Sequence, residues 1–257
     1  MAETKQVKYT ESFFQDLADD SYRSAFKILG IVFDVIRPES VIDFGCGTGS
    51  WLKAAHELGA LRVAGVDGPW VTQDQLVDRS IALITSDMSL ASTPAVSAGA
   101  FDLAISLECG EHLPASRADW LVDNMCGASR KVLFGSAIPG QGGTDHINEQ
   151  WPSYWAEKFR ARGYLPLDLV RPNVYFDRSI PTWYRNNPLM YIHRDEHADV
   201  RNTALSSKTH SLTITDFVIP QLFEDPGLRQ SMRIASQIPS KLARSLLWRW
   251  KIRRWSM

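Results

Sequence analysis

The chain is 257 residues long, 44% hydrophobic and 22% charged, enough to bury one sizeable core with length left over for a cap or tail. Its formal net charge of −1 excludes a global field that would recruit nucleic acid or an anionic membrane. Cys46, Cys109 and Cys126 show no CxxC spacing and cannot all pair within one chain, which argues against a disulfide framework and for a reducing, cytoplasmic setting.

In chain order, residues 2–11 open polar and charged without the pattern of a secretory signal. No apolar run reaches the roughly 18–20 residues of a membrane span. Residues 10–36 read as helical, with Phe13, Phe14, Leu17, Phe26, Leu29, Ile31, Phe33 and Ile36 as apolar positions and Pro38 as the stop. Short apolar runs then alternate with amphipathic ones. Strands are expected at 41–44, 62–66, 81–84, 101–106, 131–134, 165–170 and 189–193, and helices at 51–58, near 117–125 and at 151–162. This alternation predicts an α/β fold, a mostly parallel sheet with helices on both faces.

Residues 195–240 are less regular, interrupted by Pro220, Pro226 and Pro239, and read as a cap, an insertion-like lobe or an oligomer contact. Residues 241–257 hold Lys241, Arg244, Arg249, Lys251, Arg253 and Arg254 with no acid, and Trp248, Ile252 and Trp255 recur at i, i+4 and i+7. That tail reads as an interfacial helix on an anionic leaflet, as a phosphate-binding segment, or as a packed helix with solvated charges. The expected organisation is an N-terminal helical segment (1–37), a central α/β domain (38–194) and a C-terminal extension with a basic aromatic tail (195–257). The expected location is the cytoplasm; the packed reading of the tail is slightly favoured, and the interfacial one would add a peripheral contact to the inner membrane surface.

The strongest local signal is the run Val41 to Gly49, where an apolar strand enters the turn Asp43-Phe-Gly-Cys-Gly-Thr-Gly49 and a helix follows. Glycines there let a ligand approach the backbone closely, although dehydrogenases and plain turns share such loops. Asp67-Gly68 ends the next strand twenty residues beyond Gly47, where a carboxylate can accept hydrogen bonds from ribose hydroxyls. Asp87-Met88 follows after another twenty, placed to meet an adenine amino group, and Ser106-Leu107 ends the fourth strand. In this order the segments resemble the four motifs of class I S-adenosylmethionine (SAM)-dependent methyltransferases, over about residues 38–170. The resemblance implies a Rossmann-like sheet of seven strands with one antiparallel, and SAM lying across the strand ends. Its expected contacts are Asp43, Gly45, Cys46, Gly47, Gly49, Asp67, Gly68, Asp87, Met88, Ser106 and Leu107.

Beyond the fourth strand, Glu108, Glu111 and His112 are spaced i, i+3 and i+4, so one helical turn would bring them to one side. The loop Gly140 to Trp151 adds His146 among glycines and polar residues. Two carboxylates and two imidazoles can hold a divalent cation such as Mg²⁺ or Mn²⁺ with positions open for two substrate oxygens. The same Glu-x-x-Glu-His and later His resemble metal-dependent small-RNA 2′-O-methyltransferases, which implies a cation that orients a hydroxyl and lowers its pKa. His112 or His146, with Glu111, could otherwise serve directly in acid–base catalysis, or the carboxylates could only stabilise a helix start.

The Asn/Asp-Pro-Pro-Tyr/Phe motif of amino-methylating nucleic-acid enzymes is absent after the fourth strand, which favours oxygen as acceptor. The text from Glu108 to Trp155, with Trp183-Tyr-Arg-Asn-Asn187, resembles bacterial methyltransferases of glycan and natural-product assembly, which implies a sugar or polyol acceptor. Trp151, Trp155, Trp183 and Tyr184 are candidates to stack on it, although aromatic residues near helices are more often core. The competing readings are an RNA 2′-O-methyltransferase and a SAM-binding scaffold without turnover.

Overall fold

The structure, a computed structural model, describes residues 11–92, 100–207, 215, 216 and 219, with side chains from residue 20 onward. The expected apolar positions Phe13, Phe14 and Leu17, the breaks at Pro220, Pro226 and Pro239, and the basic tail with Trp248, Ile252 and Trp255 lie outside the described side chains. Helix α1 (Glu11–Ile36) precedes strand β1 (Ser40–Phe44), helix α2 (Ser50–Glu57), β2 (Arg62–Asp67), β3 (Ala82–Thr85) and β4 (Leu103–Leu107). There follow α3 (Ala118–Ala128), β5 (Lys131–Gly135), α4 (Pro152–Ala161), β6 (Tyr164–Leu167), α5 (Arg171–Val174), α6 (Thr182–Asn186), β7 (Leu189–His193) and α7 (Arg194–Ser206).

The seven strands form one sheet in the order β3-β2-β1-β4-β5-β7-β6. The first five are mutually parallel, and β7 runs antiparallel between β5 and β6. Successive side chains of a strand point to opposite faces, and the sequence fills both faces with apolar groups. Val41, Leu103 and Ile105 face a core shared with Ile28, Leu29 and Val32 of α1 and Leu52 of α2. Ile42, Phe44 and Ala104 face the other core, with Leu121 and Met125 of α3 and Phe159 of α4. The result is the expected three-layer sandwich. It brings the carboxyl ends of β1, β2 and β4 side by side, where strand order reverses and open α/β sheets hold ligands. No helix among the described residues is long and apolar enough to cross a membrane.

Two expectations change and one open choice is decided. In α1 the buried stripe is Ala25, Ile28, Leu29 and Val32, and Phe26 stands 42% exposed, because 100° per residue carries it off that stripe. The strand expected to continue to Val170 stops at Leu167. There the Asp168 carboxylate accepts from the Arg171 backbone N–H (3.3 Å) and guanidinium (2.9 Å) and turns the chain into α5. Trp155 is fully buried, with its ring 4.8 Å from that of Phe134, so it is core and cannot stack on an acceptor.

Candidate active site

The turn after β1 winds tightly, with φ of +85° at Gly45, +51° at Gly47 and +83° at Gly49. A Cβ at Gly45 would collide with the Cys109 thiol, so only glycine fits beneath β4. At Gly47 a Cβ would meet no protein atom, because the residue borders open space. The turn's amides were expected to be ligand donors, but most are used inside the chain. Those of Gly45 and Cys46 donate to the Val66 carbonyl (2.8 and 3.3 Å), that of Gly49 to Cys46 (2.8 Å), and that of Gly47 to Asp67 Oδ2 (2.8 Å). What the turn offers a ligand is mainly room.

That room is a cavity of about 450 Å³ lined by Gly45, Gly47, Asp67, Gly68, Asp87, Met88, Glu108 and His112, among others. A second of about 300 Å³ adjoins it, sharing Gly45, Gly47 and Glu108 and adding Asp43, Cys46, Leu107 and Tyr184. Neither carries a Lys or Arg among the described lining residues, whereas acids line both. The larger cavity, which adds Asp67 and Asp87, suits a cationic ligand and opposes a dinucleotide's pyrophosphate. Burial, reinforced by the nearby Asp67 charge, pushes the Asp43 carboxyl up to about 8.

Asp67 is committed locally. Besides the Gly47 amide, its Oδ1 accepts from the Gly68 amide (2.7 Å) and from the Trp70 indole N–H (3.0 Å). Asp87 accepts the Ser89 amide and hydroxyl, and the Met88 carbonyl is braced by the Arg117 guanidinium (2.9 Å). Ser106 is fully buried and its hydroxyl donates to the Phe44 carbonyl (2.8 Å), pinning β4 to β1. Ser106 and Gly49 line neither cavity, whereas the nine other expected cofactor contacts do.

Gly110–His112 form a 3-10 turn whose His112 lines the larger cavity. Ligand atoms of Glu111, His112 and His146 lie within 4.8 Å of one another, and the two imidazoles meet edge to face at 4.9 Å. Glu111 is completely buried; its Oε2 accepts from the Ser136 hydroxyl (2.9 Å), and its Oε1 has no hydrogen-bond partner. His146 Nε2 stands 4.0 Å from that orphaned oxygen. The loop after β5 is stitched onto the turn by the Ile147 and Asn148 amides, which donate to the Glu111 carbonyl (2.9 and 3.0 Å). Gly143 belongs in this loop because a Cβ there would overlap the His146 ring.

Glu108 departs from the expected cluster. It precedes the 3-10 turn with φ of +52°, so no helical turn aligns it with Glu111 and His112. Its Oε1 accepts from Asn187 Nδ2 (2.6 Å) and its Oε2 from Gln141 Nε2 (2.7 Å). Burial and the adjacent Glu111 charge raise its pKa above the carboxylate range.

Sequence reasoning missed Asn187, Gln141, Ser136 and Trp70, and it gave no role to Glu149. Glu149 Oε1 pairs with His146 Nδ1 (3.1 Å), while its oxygens accept the Gly140 and Gly142 amides (both 2.9 Å). The three-residue step from His146 to Glu149 and the glycines before it were the available signal.

Residues 20–124 match the protein family described as "Methyltransferase domain". No protein of curated function matches the chain in sequence. Among solved structures, human N-acetylserotonin methyltransferase in complex with SAM is similar at 14% identity, with a TM-score of 0.49. It is matched over 71% of this chain, which spans 54% of that enzyme's length, about half. Streptomyces venezuelae DesVI is similar at 13% identity and a TM-score of 0.51, over 72% of this chain and 99% of that one. The methyltransferase domain of the bacterial protein CtHen1 is similar at 16% identity and a TM-score of 0.48, over 68% and 98%.

Proposed function

We propose that this chain, whose domain is a class I SAM-dependent methyltransferase domain, transfers a methyl group to a hydroxyl of a sugar or other polyol. The observation that carries the acceptor side is the buried Glu111 with an undonated Oε1, beside His112 and His146 at the edge of the donor cavity. A carboxylate oxygen without a donor is costly to bury, and a cation or an acidic proton would satisfy it.

Methyl transfer breaks the C–S bond of a sulfonium, whose electron pair stays on sulfur, and forms an O–C bond from the hydroxyl. The hydroxyl proton must leave to a base. Glu111, His112 and His146 form a donor set of one carboxylate oxygen and two imidazole nitrogens, which fits a divalent cation such as Mg²⁺ or Mn²⁺. Such a cation would supply Lewis acidity that makes an alcohol easier to deprotonate, and with all three side chains as ligands the proton would leave to solvent water. Glu149 holds His146 through Nδ1, which leaves Nε2 as the ring's inward-facing nitrogen; Ser136 orients Glu111. The acids around the larger cavity favour a cationic methyl donor, with Asp67 reaching its ribose and Asp87 and Met88 its adenine. The Asp67 oxygen that receives Trp70 must release it to accept a ribose hydroxyl. Trp151 ends the loop that carries His146 and is 41% exposed, an aromatic face for a sugar ring.

A second reading is favoured by the Glu149–His146 pair itself, a carboxylate-oriented imidazole suited to take the hydroxyl proton without a metal. Transfer of labelled methyl from SAM to polyol and glycan acceptors, after chelation and after adding back Mn²⁺, separates the two. The proposal expects chelation to abolish transfer and the cation to restore it. Transfer indifferent to chelation leaves the direct-base reading, and transfer only to RNA 3′ ends overturns the acceptor class.

A further inference from the structure

Three residues of the C-terminal extension, Thr215, Asp216 and Ile219, are each fastened to the domain. The Thr215 carbonyl accepts from Arg171 Nη1 (2.9 Å), on a buried guanidinium that is paired with Asp168. The other two bonds lead to the candidate active site. Helix α4 begins at Pro152, which has no N–H, and its N-cap Trp151 supplies no side-chain acceptor, so Ser153 carries the first helix amide in need of one. Asp216 Oδ1 accepts from it (2.8 Å), from 63 residues away, and brings negative charge to the helix's positive end. Ser153 lies two residues beyond Trp151, where the loop bearing His146 and Glu149 ends. The Ile219 amide donates to Asn186 Oδ1 (2.7 Å), and both residues are completely buried. From there a chain of side-chain amides runs inward. Asn186 Nδ2 donates to Asn187 Oδ1 (2.9 Å), and Asn187 Nδ2 to Glu108 Oε1 (2.6 Å) and Gln141 Oε1 (2.9 Å). Glu108, which borders both cavities, is thus oriented through a relay that starts at Ile219.

We infer that Asp216 and Ile219 are positioning residues of the active site, Asp216 for the loop of His146 and Trp151, and Ile219, through Asn186 and Asn187, for the Glu108 carboxylate. This rests on the methyltransferase reading above. The C-terminal extension then completes the site from two sides. Asp216 is exposed, so its bond to Ser153 acts on the start of α4 alone, whereas the Ile219 bond satisfies an oxygen that burial would otherwise leave unpaired.

The test pairs two readouts on the full chain: hydrogen exchange at the Ile147 and Asn148 amides, which hold the His146 loop on Glu111, and calorimetry with S-adenosylhomocysteine. Asp216→Ala should speed that exchange about tenfold and leave S-adenosylhomocysteine affinity within about twofold. Asp216→Asn, which keeps an acceptor oxygen, should restore most of the protection. Ile219→Pro, which removes the amide donor, should do the reverse, weakening S-adenosylhomocysteine about fivefold or more with the loop's exchange unchanged. Ile219→Val, which keeps the amide, should match the wild type. If Ile219→Pro fails to fold by circular dichroism, Asn186→Asp carries that arm, because it keeps the acceptor for Ile219 and loses the donor to Asn187. Variants that move both readouts together, as loss of general stability would, or that move neither, overturn the inference. A wild type that does not bind S-adenosylhomocysteine overturns instead the methyltransferase reading, while the exchange arm still decides the role of Asp216.

Discussion

Asp43, Asp67 and Asp87 each stand at or just beyond the end of their own strand, and parallel pairing sets their spacing: Asp43 pairs with Gly65 in β2, and Asp67 with Thr85 in β3. Glu111, His112 and His146 meet differently, across a 3-10 turn and a loop whose shape depends on Glu149, Ser136 and the amides of residues 147 and 148. On the proposed function these are a donor half, positioned by the sheet, and an acceptor half, positioned by contacts between loops. Substitutions in the two halves should therefore separate binding from turnover.

The largest effect is expected in the acceptor half. His146→Ala should lower kcat by about 10²–10⁴-fold while S-adenosylhomocysteine affinity stays within about twofold, read from initial rates beside calorimetry. Parallel loss of both would erase the division between the halves. Asp67→Ala should do the reverse. It should raise the donor Kd about 10- to 100-fold, because it removes a charged acceptor that also braces the Gly47 amide. Glu149→Gln should cost about tenfold in Mn²⁺ affinity or activity by loosening His146, without changing donor affinity, and Glu149→Asp should recover less than the wild type.

The smallest effect concerns stability. Asp43 holds its proton up to about pH 8 in the fold, whereas an unfolded Asp ionises near pH 4. The folded state therefore binds the extra proton between these values. This contribution to stability is complete below about pH 4 and is lost as pH rises through about 8. Asp43→Asn should flatten that decline, so its thermal midpoint should exceed the wild type's by about a few degrees at pH 8.5 and by less at pH 6. An equal difference at both values would mean that Asp43 does not carry the proton.

The same contrast explains what the sequence could tell. Strand and helix positions follow from local apolar periodicity, so the mostly parallel sheet and the order of Asp43, Asp67 and Asp87 along it were legible, whereas the one antiparallel strand was expected only through the resemblance to class I methyltransferases. The placement of Glu108 was not. Residue spacing suggested a shared helical turn, but a positive φ and amides 33 and 79 residues away decide where its carboxylate points. Glycines, too, read as amide donors for a ligand, although Val66, Asp67 and Cys46 claim those donors. Trp155 took the core role favoured for aromatic residues near helices, although nothing local in the sequence separated it from the 41% exposed Trp151.

The central claim is that acid-lined cavities at the ends of β1, β2 and β4 hold a cationic adenosyl methyl donor. Titrating the full chain with SAM and, separately, with a nicotinamide dinucleotide tests it most directly. The account predicts one SAM bound per chain, abolished or strongly weakened in Asp67→Ala, and no heat from the dinucleotide. Binding of the dinucleotide in place of SAM would contradict it.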